Sequence, residues 1–473
     1  MLAREYSRLD AVALSELIAS GETTSGELIA LAHAGAQELK TLSAVVEERW
    51  ETPLDCDARQ GFRGVPFAIK DLMCHAAGVP VHSGSRATAP GVVRDYDSTL
   101  MSRFRSAGLA VIGTSTSAEY GLGCYGEVSY AGPTRNPWDP ERTVGGSSCG
   151  AAALVAAGIL PMAHGNDGAG SIRIPASYTG LVGLKPSRGA VPIGPTVWES
   201  TYGMAAEFAL TRTVRDARAL FSMVSGIQPG EKYAVSVPLH RVAGPMRVAV
   251  SPLWFGPTDA DPAVSRVLSE TAAALGGRGH RVEEVTPPSI DWGELVELLT
   301  TAWSALAATS LGRLLEQRRD LSEEGIEALL EPSTLGLLRY GRSVGLVELD
   351  RCLTGLTGIA RRFAAFMEEY DALLTPCTRY GAPLLGENGP ERFEGSAIEW
   401  VERQIAVAPV APLFNISGHP AITLPVGITS ERLPFGLHLG GRNLGEAWLF
   451  DLAAEIEEDL PWKDRRPDHW YGM

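Results

Sequence analysis

The chain has 473 residues, 45% of them hydrophobic, so it can bury a core large enough for one big α/β domain or for two or three small ones. A formal net charge of −15 argues against a phosphate-tracking role, because nucleic-acid binding needs a dense basic face that releases counterions. Cys56, Cys74, Cys124, Cys149, Cys352 and Cys377 form no CxxC pair and no metal-type Cys/His spacing, which predicts separate reduced thiols and no metal site. The opening MLAREYSRLD lacks a charged-then-apolar export pattern, and no stretch approaches the roughly 20 apolar residues of a membrane helix. The expectation is a cytoplasmic enzyme with neither nucleic acid nor membrane as partner.

Residues 1–55 show helical spacing, with Leu14, Leu17 and Ile18, then Leu28, Ile29 and Leu31 after an N-cap at Thr24 or Ser25, and predict two opening helices. Near residue 60 the pattern changes to VPFAIK (65–70), a helical SRFRSAGL and LAVIGT (109–114), the strand, helix, strand rhythm of an α/β sheet. From 141 to 190 the chain is dense in glycine and alanine; Ala151 to Ala157 predict a closely packing helix, entered by a sharp turn at Gly145 and Gly146. MRVAVS (246–251) reads as a strand, and the stretch beginning DPAVSRVLSETAAALGG as a helix. Residues 291–400 are read as a cap region, leucine-rich and helical over 291–370. ALLTPC (372–377), PAITLPVGI (420–428) and PFGLHLGG (434–441) read as buried strands before a closing helix near 444–458.

In GNDGAGSIRIPAS, Ser171 follows Gly168, Ala169 and Gly170, whose amides can turn inward together. Such a nest can hold the oxyanion of a tetrahedral intermediate beside a serine nucleophile; a connecting turn is the alternative. A serine needs a base. His164 with Asp167 would make a Ser–His–Asp set, but no GxSxG or GDSGG context accompanies it. Lys70 ends an apolar run, so burial can lower its pKa toward that of a general base; a lysine paired with Asp71 is the alternative. Ser147 and Ser148 precede the small-residue helix, where either can cap it or relay protons between Lys70 and Ser171.

These segments together resemble the amidase signature family. The resemblance runs through GVPFAIKD, GPTRNPWDPERTVGGSSCG, GSIRIPASYTGLVGLKPSRG, TRTVRDA, DALLTPC, FNISGHPAITLPVG and LPFGLHLGGR, covering roughly residues 8–460. It implies one large domain over 1–473, with a signature core at 60–225 and a mixed twisted β-sheet covered by helices on both faces. The family's two catalytic serines lie 24 residues apart, the separation of Ser147 and Ser171, which selects Ser147 over Ser148. The implied triad is Lys70, cis-Ser147 and Ser171, with the N–H groups of Gly168, Ala169, Gly170 and Ser171 as oxyanion hole, and Asp167, Arg173 and Ser148 in support. No metal or organic cofactor is implied.

The chain departs from the family where Thr114 and Thr116 replace Lys and Asn, where Cys149 and Ala151 replace Gly and Ser, and at Ala169, often glycine. AHGNDGAGSIRIPAS, IGP (193–195) and LPWKDRRP look most like the branch containing 6-aminohexanoate cyclic dimer hydrolase. The implied activity is hydrolysis of a small apolar or cyclic amide through an acyl-enzyme. Acyl transfer, ester cleavage and a non-catalytic binding role are the alternatives, and the tRNA-dependent amidotransferase subunits fit less well for want of a basic face. Tyr120, Tyr125, Trp303 and Cys377 are pocket candidates, as are Leu311, Leu315 and Tyr340 in the cap. The family's many dimers allow a homodimer.

Overall fold

The computed structural model describes residues 1–473 except 196–199, 241–243, 253–255, 257–259, 319, 388 and 391–392. The opening helices are Ala11–Ser20, capped by the Asp10 carboxylate, and Ser25–Glu38, capped by Thr24 with Glu27 closing a capping box. Next comes a small sheet of β1 (Val45–Glu48), β2 (Val65–Lys70) and β3 (Leu109–Ser115), ordered β1-β3-β2, with β2 parallel and β1 antiparallel to β3.

The main sheet has, among the described residues, eight strands: β4 (Met162–Asp167), β5 (Val182–Lys185), β6 (Ala206–Thr211), β7 (Arg247–Val250), β8 (Arg281–Glu284), β9 (Ala372–Pro376), β10 (Ala421–Ile428) and β11 (Pro434–Gly441). Their order is β8-β7-β9-β11-β10-β5-β6-β4. The sheet is mixed, since β7 runs parallel to β8 and β9 while the other pairs are antiparallel. Helices cover both faces. A side chain on Gly440 would strike Phe414 and one on Gly441 would strike Leu449, so neighbouring positions of β11 face two helices, Ala411–Ser417 and Glu446–Asp459.

The apolar runs at 65–70, 109–114, 372–377, 420–428 and 434–441 all fall on strands. Strands β4, β5 and β6 carry no such legible run: MAHGND and VGLK mix small and polar residues, and pairing inside a buried sheet makes them strands. The small-residue helix is α1 (Cys149–Ala156), and α2 (Arg173–Thr179) follows the glycine-rich loop after β4. All six cysteines are free thiols.

The cap is helical: α3 (Trp292–Gln317), α4 (Pro332–Ser343), α5 (Leu346–Met367) and α6 (Ala397–Ala406). By length and composition Trp292–Glu316 is long and apolar enough to cross a membrane, which corrects the expectation that no stretch approaches that size. Its apolar positions Leu295, Leu299 and Ala302 are fully buried, and α3 packs on α4, α5 and α6, as a core helix does.

Candidate active site

Strand β2 delivers Lys70 to the interior at the point where β2 lies beside β4. The Lys70 N–H donates to His164 Nδ1 at 3.1 Å, so the two sheets meet here through a side chain. An acceptor at Nδ1 puts the imidazole hydrogen on Nε2, which lies 2.8 Å from Glu207 Oε2. Both ring nitrogens of His164 are thereby used, and the Asp167 carboxylate is committed elsewhere. This removes the alternative Ser–His–Asp set and makes His164 a brace for the end of β2.

Lys70 Nζ is fully buried, 2.7 Å from Ser147 Oγ and 2.6 Å from Asn166 Oδ1. Burial pushes its pKa from 10.5 down to about 8, against the opposing pull of Glu207 and Asp167. The Gly146–Ser147 peptide bond is cis, and Gly146 has no room for a side chain, since a Cβ would sit 2.3 Å from Tyr125 O. Ser148 does not cap α1 with its side chain; its hydroxyl donates to Asn166 O and its N–H to Ser171 O, both at 3.2 Å, tying the start of α1 to β4 and the loop.

The loop after β4 wraps around one carboxylate. Asp167 Oδ1 accepts the Gly170 N–H at 2.7 Å and Oδ2 the Ile172 N–H at 3.1 Å, while Arg173 adds Nε to Oδ2 at 2.9 Å and a terminal nitrogen to Oδ1 at 2.8 Å. Asn415 donates to Asp167 O and Oδ1 and accepts from Arg173, and His438 Nε2 takes the remaining guanidinium nitrogen at 2.8 Å. Burial and the Arg173 charge hold His438 neutral. Burial alone would raise the Asp167 pKa, but the Arg173 charge and these hydrogen bonds hold it well below the ordinary carboxylate range.

One expectation needs correction at this loop. The Gly170 N–H, one of four expected oxyanion donors, is spent on Asp167, whereas the N–H groups of Gly168, Ala169 and Ser171 have no acceptor among the described residues.

Ser171 is only 7% exposed, and it shares with Ser147, Asn166 and Gly168 the floor of a cavity of about 420 Å³. Tyr120 lines this cavity, and together with Trp303, Ala169 and Ser171 it also lines an adjoining cleft of about 40 Å³. Two pocket expectations are corrected. Tyr125 is buried in the core, edge-on to Trp400, with its hydroxyl donating to Glu331 Oε2 at 2.6 Å. Cys377 is buried behind the loop, its thiol 3.4 Å from Arg173 O and accepting from Thr423. The cap's contribution to the large cavity is one stripe of α3, Leu306, Thr309, Ser310, Arg313 and Leu314, at helical spacing. Leu311 and Leu315 pack with Ile326 and Leu330 instead, and Tyr340 packs in the cap core.

Asn166, Asn415 and His438 were not singled out in the sequence. Asn166 sits between the two serines, five positions before Ser171, and that placement was the one available signal.

The family model described as Amidase matches residues 36–450. The 6-aminohexanoate-cyclic-dimer hydrolase of Paenarthrobacter ureafaciens is 32% identical over 484 residues, covering 97% of this chain and 96% of that protein. The enzyme of the same name from Pseudomonas sp. strain NK87 is 33% identical over 482 residues, with 97% and 96% covered. A solved structure of 6-aminohexanoate cyclic dimer hydrolase complexed with substrate superposes with a TM-score of 0.89 at 31% identity, covering 98% of this chain and 99% of that one.

Proposed function

The chain belongs to the amidase family and is a hydrolase of amide C–N bonds, and from that premise we propose that it cleaves a small amide, linear or cyclic, through an acyl-enzyme on Ser171. The observation that carries this reading is the contact of a buried, pKa-lowered Lys70 with Ser147 Oγ at 2.7 Å, on the same cavity floor as Ser171.

In its neutral form Lys70 Nζ has two hydrogens and one lone pair. Donating one hydrogen to Asn166 Oδ1 leaves the lone pair free to accept the Ser147 hydroxyl proton. Asn166 is thus a positioning residue. Ser147 then accepts the proton of Ser171 as Ser171 Oγ bonds to the amide carbon, and the carbonyl π electrons move onto oxygen. The Gly168, Ala169 and Ser171 N–H groups face that oxyanion, while Asp167 holds their loop in shape. Collapse breaks the C–N bond, and Ser147 returns a proton to the leaving nitrogen, replenished from Lys70. Water activated by the same relay adds to the acyl ester and releases the acid and Ser171.

A fluorophosphonate probe tests the nucleophile. Wild type is expected to be labelled at Ser171 and Ser171→Ala to remain unlabelled with amide turnover down about 10⁴-fold or more; undiminished labelling of the variant would sink the assignment.

A further inference from the structure

The cavity above Ser171 has a charge opposite to that of the chain. The protein has 56 acidic against 41 basic side chains. Many of its arginines face carboxylates, as Arg278 does with Glu458 and Asp459, and Arg342 with Glu323 and Glu327. Among the described residues that line the cavity there is no Asp or Glu, yet there are two arginines, Arg94 and Arg313. Neither has a carboxylate partner among the described residues.

The two come from unrelated elements. Arg94 follows the bridge between Val81 and Val92, two further lining residues, and its carbonyl accepts the Gly78 N–H at 2.8 Å, which pins its backbone. Arg313 stands on the stripe of α3 that roofs the cavity. Arg94 is half-buried and Arg313 exposed, whereas Ser147 and Ser171 are buried, so the two arginines lie toward the mouth and the serines toward the floor. His75 also lines the cavity, 2% exposed, with Nδ1 3.0 Å from Met73 O and with no partner for Nε2 among the described residues. Burial lowers the His75 pKa and the nearby Arg94 charge adds to this, so the imidazole is neutral and offers Nε2 as an acceptor.

We propose that Arg94 and Arg313 form a carboxylate subsite, so that the substrate is a small amide bearing a free carboxylate at the end remote from the scissile C–N bond. This rests on the hydrolase reading above. A guanidinium matches a carboxylate in two-pronged geometry, and two arginines lining the cavity with no carboxylate partner among the described residues keep their attraction for an incoming anion. Against the chain's net charge of −15, the described lining of the cavity carries positive charge, which attracts an anionic amide.

Two amides that differ only in their far end test this: the mono(para-nitroanilide) of adipic acid, which ends in a carboxylate, and hexanoic para-nitroanilide, which ends in a methyl group. Each is used first to protect Ser171 from the fluorophosphonate probe and then as a substrate for kcat/KM. The carboxylate compound is expected to protect at about tenfold lower concentration and to show a kcat/KM about tenfold higher, a preference that shrinks with added salt. In the double variant Arg94→Gln, Arg313→Gln the ratio of the two compounds is expected to fall to within about threefold of one. Equal protection by the two compounds, or a preference that survives the double variant, overturns the carboxylate subsite and leaves the hydrolase reading standing. Failure of the probe to label Ser171 at all overturns the hydrolase reading and this inference with it.

Discussion

The floor of the cavity, built from the ends of β2 and β4 and the loop between β4 and α2, is a closed network of buried charges, while the roof is one stripe of the single helix α3. On the floor Lys70, Asp167 and Arg173 have no exposed side-chain surface, and each has several named partners. On the roof Thr309 and Arg313 are exposed and Leu306 and Ser310 half-buried, held by the packing of α3's other faces on α4, α5 and α6. A relay of protons needs atoms fixed to within tenths of an ångström, which interlocked hydrogen bonds supply. Recognition of one amide among many needs only shape and charge at the surface of a stable helix.

The largest effect should follow from the floor. Lys70→Ala is expected to lower kcat/KM about 10³-fold or more at every pH, measured on any amide the wild type cleaves; near-wild-type turnover would break the contrast by removing the base. In the proposed relay the neutral lysine is the active form, and burial lowers its pKa to about 8. Turnover should therefore climb as pH rises through about 8 and level off above it, with roughly a tenth of the enzyme active at pH 7. A profile flat from pH 6 to pH 9 would argue against it.

Next in size is the clamp. Arg173→Met leaves the Asp167 carboxylate buried without its cation, and should cost about 3–5 kcal/mol of stability in denaturant titrations as well as activity. A variant that unfolds like wild type would mean that the loop is held by something other than this pair. The smallest effect is expected on the roof: Leu306→Ala should leave the unfolding midpoint nearly unchanged and shift kcat/KM by about tenfold or less, with a different factor for each amide tested. A uniform loss across substrates would instead place Leu306 with the floor.

Strands β2, β3, β9, β10 and β11 and the opening helices were legible because burial of both faces, or of one helical stripe, writes itself into runs of neighbouring residues. Strand β4 was not, because its positions are filled by the groups the site uses, His164, Asn166 and Asp167, instead of apolar ones. Tyr125 and Cys377 were misplaced because neighbourhood along the chain does not say which way a side chain turns: Tyr125 turns to Trp400 and Glu331, and Cys377 to the back of the loop. The same limit hid the cap's lining stripe, since Leu311 and Leu314 are equally apolar and share one buried cluster with Ile326 and Leu330, yet only Leu314 also lines the cavity.

The order and spacing of Lys70, Ser147 and Ser171, with the small residues around them, were set by the sequence alone, because close backbone approach demands glycine and alanine whatever the rest of the chain does. Only the tertiary structure decided that Gly170 serves Asp167, that Asn415 and His438 complete the clamp from more than 240 positions away, and that Arg94 meets Arg313 over one cavity. Such groupings are made by strands and helices that meet only on folding, and no local pattern of residues encodes the meeting.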